Sequence, residues 1–299
     1  MRVLVTGAAG FIGASVVRQL LAGDHQVIAV DRSSEALERL PVEASAISRA
    51  AIDLADEKRM AVLLNGVRPE AVIHLAWYAD PVDYLTSHAN ILSLTVTSTL
   101  VETALSMGCR KFVIGGSCAE YARCDRLLVE SDPVEPRTLY AAAKRAAWQV
   151  ACALTAETGA ELAWARIFHI HGPMESRRRL IPWVASQLRS GLAVELTDGK
   201  QIRDQLHVSD VASGLVTLLE PGASGIYNVC SGEPVTLKQV LETVGELVGG
   251  KDLLRFGARP YGPNETMFLA GDSSRLRALG WAPRFGLRDG LQDALREGF

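Results

Sequence analysis

Thr6-Gly7-Ala8-Ala9-Gly10-Phe11-Ile12-Gly13 is the stretch that decides the fold of this 299-residue chain. It follows the apolar run 3–5 and precedes an apolar pattern of helical spacing over residues 12–21. Glycine permits a tight turn and lets backbone amides approach a pyrophosphate at the positive end of a helix. The segment therefore predicts a dinucleotide cradle formed by Gly7, Gly10, Phe11, Ile12 and Gly13. A plain tight turn is the alternative.

Short, β-branched apolar runs alternate with longer helical patterns through the first half of the chain. The runs are residues 3–5, 27–30, 71–75 and 112–114, and the helical patterns include 12–21, 87–107 and 139–157. This alternation predicts an α/β fold with a Rossmann-type, doubly wound parallel sheet. After about residue 165 Gly and Pro become denser. We therefore expect a dinucleotide-binding domain over 1–165 and a smaller, interleaved C-terminal substrate lobe over 166–299.

The composition of the chain indicates its cellular location and argues against some classes of binding partner. The net charge of -3 gives no reason to expect nucleic acid or an anionic membrane as a partner. No apolar stretch approaches the roughly 18 residues of a membrane span, and the N-terminus lacks a signal-peptide layout. The five cysteines are odd in number and show no Cys-x-x-Cys spacing, which argues against a disulfide framework or a metal site. We expect a cytoplasmic protein.

Tyr140 and Lys144 stand four residues apart in one predicted helix. Residues at this spacing share a helix face, where an ammonium can favour the phenolate of its neighbour. A phenol in that setting can act as an acid or base near neutral pH. Ser117 adds a hydroxyl just after the predicted strand 112–114. A surface tyrosine and lysine on a solvated helix would be the alternative.

Together these residues resemble the Ser-Tyr-Lys triad of extended short-chain dehydrogenase/reductases, in the nucleotide-sugar branch called the NAD-dependent epimerase/dehydratase family. The Gly-x-x-Gly-x-x-Gly spacing of residues 7–13 and the segment 203–212 match that family, and the similarity extends from Val3 to about Leu291. The resemblance implies that Tyr140 exchanges a proton with a sugar hydroxyl or carbonyl. It also implies that Ser117 hydrogen-bonds the reacting oxygen, and that Lys144 stabilises the phenolate and holds the nicotinamide ribose.

The resemblance implies NAD as the cofactor. Asp31 would accept hydrogen bonds from the adenosine ribose and repel a 2′-phosphate, which favours NAD over NADP. Arg32 could neutralise such a phosphate, so NADP stays possible. The family pattern places Leu75 and Ala76 against the cofactor. It also places Asp53 and Leu54 beside the adenine, with an ordinary strand-end turn as the alternative.

The resemblance further implies a nucleotide-diphosphate sugar as substrate and a homodimer formed through the helices 87–107 and 139–157. Arg203 and Arg259 would grip the diphosphate, and His169 replaces an asparagine that contacts the sugar in relatives. Trp77 would border the sugar pocket, unless it is a core aromatic. The arginine run 177–179 is expected to form a solvated loop, with Arg179 beside the nucleotide as the alternative. The candidate substrate contacts are Trp77, Ser117, Cys118, Tyr140, His169, Arg203 and Arg259.

Departures from the family pattern narrow the activity. The 4,6-dehydratases place an acid and a glutamate directly after the catalytic hydroxyl, where this chain has Cys118 and Ala119. Glu120 is expected to face solvent, with a side chain that points into the site as the alternative. We therefore predict a 4-ketoreductase of a nucleotide-linked 4-keto-6-deoxyhexose. The rivals are a 4-epimerase with retained NAD, a reductase of a non-sugar ketone, and a dinucleotide-binding regulator without turnover.

Overall fold

The computed structural model describes residues 1–40 and 46–296. The strands are β1 (Arg2–Thr6), β2 (Gln26–Asp31), β3 (Ile47–Ala51), β4 (Ala71–His74), β5 (Lys111–Ser117), β6 (Glu161–Ile167), β7 (His169–His171), β8 (Val194–Glu195), β9 (Ile202–His207), β10 (Gly225–Val229), β11 (Pro234–Thr236), β12 (Leu254–Arg255) and β13 (Phe268–Leu269). The helices are α1 (Phe11–Ala22), α2 (Ser34–Glu38), α3 (Glu57–Val67), α4 (Ala89–Ser106), α5 (Leu139–Ala156), α6 (Leu180–Arg189), α7 (Val208–Thr217), α8 (Leu237–Val248), α9 (Ser274–Arg277) and α10 (Leu287–Arg296).

The central sheet has seven strands in the order β10-β6-β5-β4-β1-β2-β3. Every neighbouring pair is parallel. The predicted doubly wound parallel sheet is therefore confirmed. The strand order reverses between β1 and β4, and ligands of such sheets bind in the crevice above the carboxyl ends at this point.

Both faces of the sheet are covered, as the continuous apolar runs require. Val3 and Val5 of β1 pack into the layer that contains α1 and α7. Leu4, between them, faces the opposite layer with α3, α4 and α5. Successive strand residues point to opposite faces, so a run apolar at every position supplies both layers.

Helix α5 begins where a side chain caps it. Thr138 Oγ1 accepts a hydrogen bond from the Ala141 amide at 3.2 Å, which fixes the first turn. The Tyr140 amide donates to the Leu85 carbonyl at 3.1 Å, so this turn also docks on the loop before α4. The predicted bounds 139–157 and 87–107 differ from α5 and α4 by only one or two residues.

The C-terminal half contributes to both parts of the molecule. Helices α6, α8 and α10 enclose a separate apolar cluster with β8 and β12. Strand β9 pairs with β7, β11 and β13 in a second sheet. Strand β10 and helix α7, in contrast, complete the first sheet and its covering layer. A domain boundary at residue 165 stays a prediction.

In the described ranges, no helix combines the length and apolarity needed to cross a membrane.

Candidate active site

The glycine turn lies at the carboxyl end of β1 and leaves no room for side chains. Gly7 has φ +65°, and a Cβ there would stand 2.9 Å from the Ala76 amide nitrogen. A Cβ on Gly13 would stand 2.0 Å from the Gly7 carbonyl oxygen. Helix α1 starts after Gly10 without a side-chain cap. The first backbone N–H groups of the helix therefore lack a side-chain partner and are suited to an anion such as a pyrophosphate.

Asp31 lies beside this turn at the end of β2. Its Oδ2 accepts from the Ala9 amide at 3.2 Å, and its Oδ1 accepts from the Arg32 amide at 2.8 Å. A carboxylate offers about four acceptor positions, so capacity remains for ribose hydroxyls. The Arg32 side chain is exposed. The cradle and this carboxylate together fit an adenine dinucleotide.

The other candidate cofactor residues lie at adjoining strand ends. The amides of Leu75 and Ala76 donate to Thr6 Oγ1 at 3.2 and 3.3 Å, which holds both residues against the glycine turn. Asp53 accepts from the Ala55 amide at 3.0 Å, the contact of a strand-end turn. Leu54 is buried in the core with α3. A contact of Asp53 and Leu54 with adenine stays a prediction.

Ser117, Tyr140 and Lys144 lie together at the carboxyl end of β5. The Ser117 hydroxyl accepts from the Ala119 amide at 3.2 Å and lies close enough to the Tyr140 phenol to affect its pKa. Lys144 Nζ donates to the Gly115 carbonyl at 2.6 Å. The structure thus brings the three predicted catalytic side chains into one cluster.

Burial sets the charge of this cluster. It raises the pKa of Tyr140, and the nearby Ser117 hydroxyl only partly opposes that rise. Burial also lowers the pKa of Lys144 to about 7, against a smaller opposing effect of Glu120. At neutral pH the phenol is protonated and the lysine titrates, so Tyr140 can act as a general acid.

Aromatic rings surround the phenol. The Trp77 and Tyr140 ring centroids lie 6.3 Å apart at 89°, and those of Tyr84 and Tyr140 lie 5.1 Å apart at 80°. Lys144 Nζ lies 3.7 Å from the centroid of the Trp77 ring. Trp77 therefore contacts the candidate catalytic pair itself. Tyr84 was missed in the sequence because it lies in an irregular polar loop without periodicity.

The candidate substrate residues His169, Cys118 and Arg203 form a neighbouring group. The charge of Arg203 affects the pKa of both His169 and Cys118. Burial lowers the pKa of His169 to about 3, so the imidazole is neutral. Burial raises the pKa of Cys118 to about 12, so the thiol is protonated. His169 Nδ1 is buried without a hydrogen-bond partner among the described residues.

The two predicted diphosphate arginines differ in placement. Arg203 is largely buried and pairs with Glu265 at 2.9 Å. Arg259 is exposed, and its backbone amide donates to the Leu196 carbonyl at 3.0 Å. Within residues 1–40 and 46–296 the Arg259 side chain forms no ion pair with Glu265, the partner of Arg203. A role of Arg259 in substrate binding stays a prediction.

The prediction that Glu120 faces solvent is wrong. Its side chain is 0% exposed, and Oε2 lies 3.2 Å from Arg166 Nε. Its Oε1 accepts from the Ser117 amide and from Trp164 Nε1, both at 2.9 Å. A buried carboxylate needs such partners. The spacing Ser117-x-x-Glu120 is that of a capping box, which was the signal in the sequence.

The loop before α6 adds two further groups. The Arg179 guanidinium is partly buried and lies 5.0 Å from the centroid of the Tyr84 ring, whereas Arg177 and Arg178 are exposed. Cation–π attraction favours this placement beside the site. Burial raises the pKa of Glu175 to about 8, with Arg179 opposing. No sequence pattern had indicated Glu175.

The fold and the cluster around Tyr140 are those of an extended short-chain dehydrogenase/reductase. Comparison with known proteins places the chain more narrowly. It belongs to the NAD dependent epimerase/dehydratase family, whose description matches residues 3–230.

Three similar proteins illustrate the range of that family. The dTDP-glucose 4,6-dehydratase of an Actinoplanes species is 30% identical over 314 residues, covering 99% of this chain and 97% of the relative. UDP-glucuronic acid decarboxylase 1 of Arabidopsis thaliana is 27% identical over 302 residues, covering 97% and 68%. The UDP-glucose 4-epimerase of Thermus thermophilus, solved in complex with NAD, has a TM-score of 0.86 and 27% identity, covering 98% of this chain and 97% of that one. The chain is therefore similar to enzymes of nucleotide sugars that carry out different reactions.

Proposed function

We propose that this protein is an NAD-dependent 4-ketoreductase of a nucleotide-linked 4-keto-6-deoxyhexose. The observation that carries the proposal is the arrangement of Tyr140 near Ser117 with Lys144 on the same helix face, in a setting where burial raises the pKa of the phenol and favours its protonated form. A reduction at C4 needs an acid at the start of the reaction, whereas an oxidation needs a base. The resting phenol is the acid.

The residues around the glycine turn would hold the cofactor. Amides at the start of α1 would bind the pyrophosphate, and Asp31 would bind the adenosine ribose. The reduced nicotinamide, when bound, supplies the hydride for C4. Arg32 leaves NADPH as the second candidate, because an exposed guanidinium beside Asp31 could accept a 2′-phosphate.

The chain's own residues would manage the proton. The Ser117 hydroxyl orients the ketone oxygen, and the Tyr140 phenol gives its proton to the alkoxide as it forms. The Lys144 ammonium then stabilises the phenolate electrostatically and returns a proton from solvent. No further acid or base is needed for this reaction.

The residues after Ser117 support a reductase over the dehydratase known among the relatives. Elimination of water needs one group to remove a proton and another to protonate the leaving hydroxide. Cys118 is a protonated, buried thiol, and Ala119 has no titratable group. Glu120 is held by Arg166 in the core. The proposal assigns no acid–base role to these three positions.

On the substrate side, Arg203 is proposed to bind the diphosphate. A buried guanidinium offers the planar fork that suits phosphate oxygens. Its present partner Glu265 is 31% exposed and can move aside. His169, with its unpartnered Nδ1, is proposed to bind a sugar hydroxyl.

Oxidation of NADH and NADPH by the purified protein, followed by absorbance across a panel of nucleotide-4-keto-6-deoxyhexoses, tests the proposal. We expect loss of nicotinamide absorbance equal to the sugar reduced, and its absence with Tyr140→Phe. No net oxidation, together with NAD retained through purification and C4 inversion in the product, would replace the reductase by the 4-epimerase. Turnover of simple ketones that is unaffected by Arg203→Ala would favour a non-sugar reductase. Cofactor binding without any turnover would favour a regulator.

We also propose a cytoplasmic homodimer. The outer faces of α4 and α5 expose Ile91, Leu92 and Val150 at 48%, 55% and 39%. Apolar side chains on two adjacent helices suit a four-helix interface with a second copy. The five free cysteines are compatible with a reducing compartment. Light scattering should give twice the chain mass, and Leu92→Glu should reduce it to the monomer value.

A further inference from the structure

The Trp77 side chain is fixed by a buried amide. Trp77 Nε1 donates to Asn90 Oδ1 at 2.8 Å. The Asn90 Nδ2 donates to the carbonyls of Tyr84 at 2.7 Å and Ser87 at 2.8 Å. Asn90 is 0% exposed, and an amide is the side chain that supplies an acceptor and two donors at once. One hydrogen bond therefore orients the indole ring, and two more fix the amide that accepts it.

The fixed ring contacts both members of the Tyr140–Lys144 pair. The ammonium lies over its face at 3.7 Å from the centroid, and the Tyr140 ring meets it edge to face. Among the described residues Lys144 has no carboxylate within ion-pair distance, so its direct partners are this face and the Gly115 carbonyl. An aromatic face attracts a desolvated cation, and indole does so best.

The titratable groups around Lys144 come from three elements. Glu120 follows β5 and favours the ammonium from a distance, while its own ion pair is with Arg166. His74 of β4 is buried and neutral, because burial lowers its pKa to about 3. Tyr140, one helical turn before Lys144, is protonated. None of them neutralises the ammonium directly, so the Gly115 carbonyl and the indole face are the groups in contact that favour its charged form, and the indole is the only side chain of the two.

We propose that Trp77, oriented by Asn90, is a positioning residue that holds the Lys144 ammonium and the Tyr140 ring in the arrangement that proton transfer requires. Trp77 is then part of the proton-transfer apparatus rather than a wall of the sugar pocket. The expected effect of Trp77 on the rate of reduction rests on the proposed function. Its expected effect on the protonation of Lys144 does not.

The first test measures Lys144 without any substrate. Protein labelled with 13C at the lysine ε carbons is titrated by NMR, with the Lys144 signal assigned by its loss in Lys144→Met. Trp77→Leu keeps bulk but removes the aromatic face, and we expect the titration midpoint of Lys144 to fall by about half a unit to one unit. Trp77→Phe keeps an aromatic face, so the Lys144 midpoint should fall by less than half as much in that variant. A midpoint that stays or rises in Trp77→Leu would overturn the proposal.

A matched control tryptophan lies on α5, the helix that carries Lys144. Trp148 of α5, one helical turn after Lys144, is also half-buried and packs on Trp164 at 5.7 Å, and among the described residues its ring makes no cation–π contact with the Lys144 ammonium. Trp148→Leu removes the same number of atoms and should lower stability without moving the Lys144 midpoint. If both tryptophan variants move the midpoint equally, general loosening of α5 is the cause and the proposal fails.

The second test uses the proposed reduction. In Trp77→Leu we expect kcat to fall about 10-fold to 100-fold, because the proton donor and its ammonium are misplaced. The KM values for NADH and sugar should change much less, and the pH profile of kcat should shift in the direction of the NMR midpoint. Trp77→Phe should recover most of the rate. Equal losses in both variants, with an unchanged pH profile, would assign Trp77 to packing. If the native protein shows no ketoreductase activity, the NMR titration still decides the inference.

Discussion

Two buried cations near the same strand end, Arg166 and Lys144, have different surroundings. Arg166 is 1% exposed and pairs with the 0% exposed carboxylate of Glu120 at 3.2 Å. Lys144 is 6% exposed and is held by a carbonyl at 2.6 Å and an indole face. Because no carboxylate offsets the loss of solvent at Lys144, burial lowers its pKa to about 7.

The difference distinguishes a buried cation that supports the fold, Arg166, from one that can take part in proton transfer, Lys144. A paired buried charge is fixed, whereas a buried charge without a carboxylate partner can change its protonation near neutral pH. The two regions are also connected. Glu120 accepts from the Ser117 amide at 2.9 Å, so the ion pair orients the turn that carries the catalytic hydroxyl.

The largest effect we expect comes from replacing the tyrosine beside each of the two cations, Tyr140 near Lys144 and Tyr121 near Arg166. Tyr140→Phe removes the proton donor and should lower turnover about 100-fold to 10,000-fold with little change in stability. Tyr121 donates to Asn228 Oδ1 at 2.6 Å, and its ring lies 4.2 Å from Arg166 Cζ. Tyr121→Phe should leave turnover near the native value and lower the unfolding free energy by about 1 kcal/mol. Steady-state rates and urea unfolding of both variants decide this, and a reversed pattern would contradict the assignment.

Removing the partner of the supporting cation should have the next largest effect. Glu120→Ala leaves Arg166 buried and unpaired, and we expect a loss of about 3–5 kcal/mol in unfolding free energy. The double variant Glu120→Leu, Arg166→Met removes both charges and should lose much less, because no isolated charge remains. Chemical denaturation measures both. If Glu120→Ala is as stable as the double variant, the Glu120–Arg166 ion pair does not stabilise the fold.

The third prediction concerns the pH dependence of stability. Between about pH 7 and the ordinary lysine value of 10.5, the unfolded chain binds more protons at Lys144 than the folded protein does. Native stability should therefore rise with pH across this window. Lys144→Met should be more stable than the native protein at pH 6, by about 1–3 kcal/mol, and the advantage should shrink toward pH 10.

A paired lysine provides the control for that prediction. Lys111 is as buried as Lys144, but its Nζ lies 2.7 Å from Glu161 and also donates to two carbonyls. Lys111→Met should lower stability at every pH between 6 and 10. If Lys144→Met behaves in the same way, the distinction between the two kinds of buried cation is wrong.

The smallest effect concerns an intermediate case, Arg203, whose partner Glu265 is 31% exposed. Arg203→Ala should raise the sugar-nucleotide KM about 10-fold to 100-fold, the cost of losing hydrogen bonds to a charged group. Glu265→Ala frees the guanidinium and should lower KM without reducing stability by more than about 1 kcal/mol. Initial rates over a range of substrate concentrations test both. A rise in KM for Glu265→Ala would show that this carboxylate is fixed like Glu120.

Features that depend on neighbours in the chain could be predicted. The glycine spacing of residues 7–13 and the period of the apolar runs indicated the sheet and its turn, and the i, i+4 spacing placed Tyr140 and Lys144 on one face of α5. Ser117 was expected just after the predicted strand 112–114, and it is the last residue of β5. Each of these rests on backbone geometry within a few residues.

Features that depend on distant partners could not be predicted. Arg166 lies 46 residues from Glu120 and meets it only when β5 and β6 pair, so the sequence alone favoured solvent for this carboxylate. Arg179 contacts Tyr84, which lies on another element, so the arginine run indicated only a solvated loop. Arg203 was expected to be a substrate arginine, yet its ion pair with a residue 62 positions away was not visible.

By itself the sequence indicated a dinucleotide cradle and placed Tyr140 and Lys144 on one helix face, because local spacing dictates turns and helix faces, while the family resemblance added Ser117 to that pair. The tertiary structure alone decided the charge of those groups. Protonation depends on burial and on which side chains arrive from other strands, and the packing of β4, β5 and α5 placed an indole face rather than a carboxylate against Lys144.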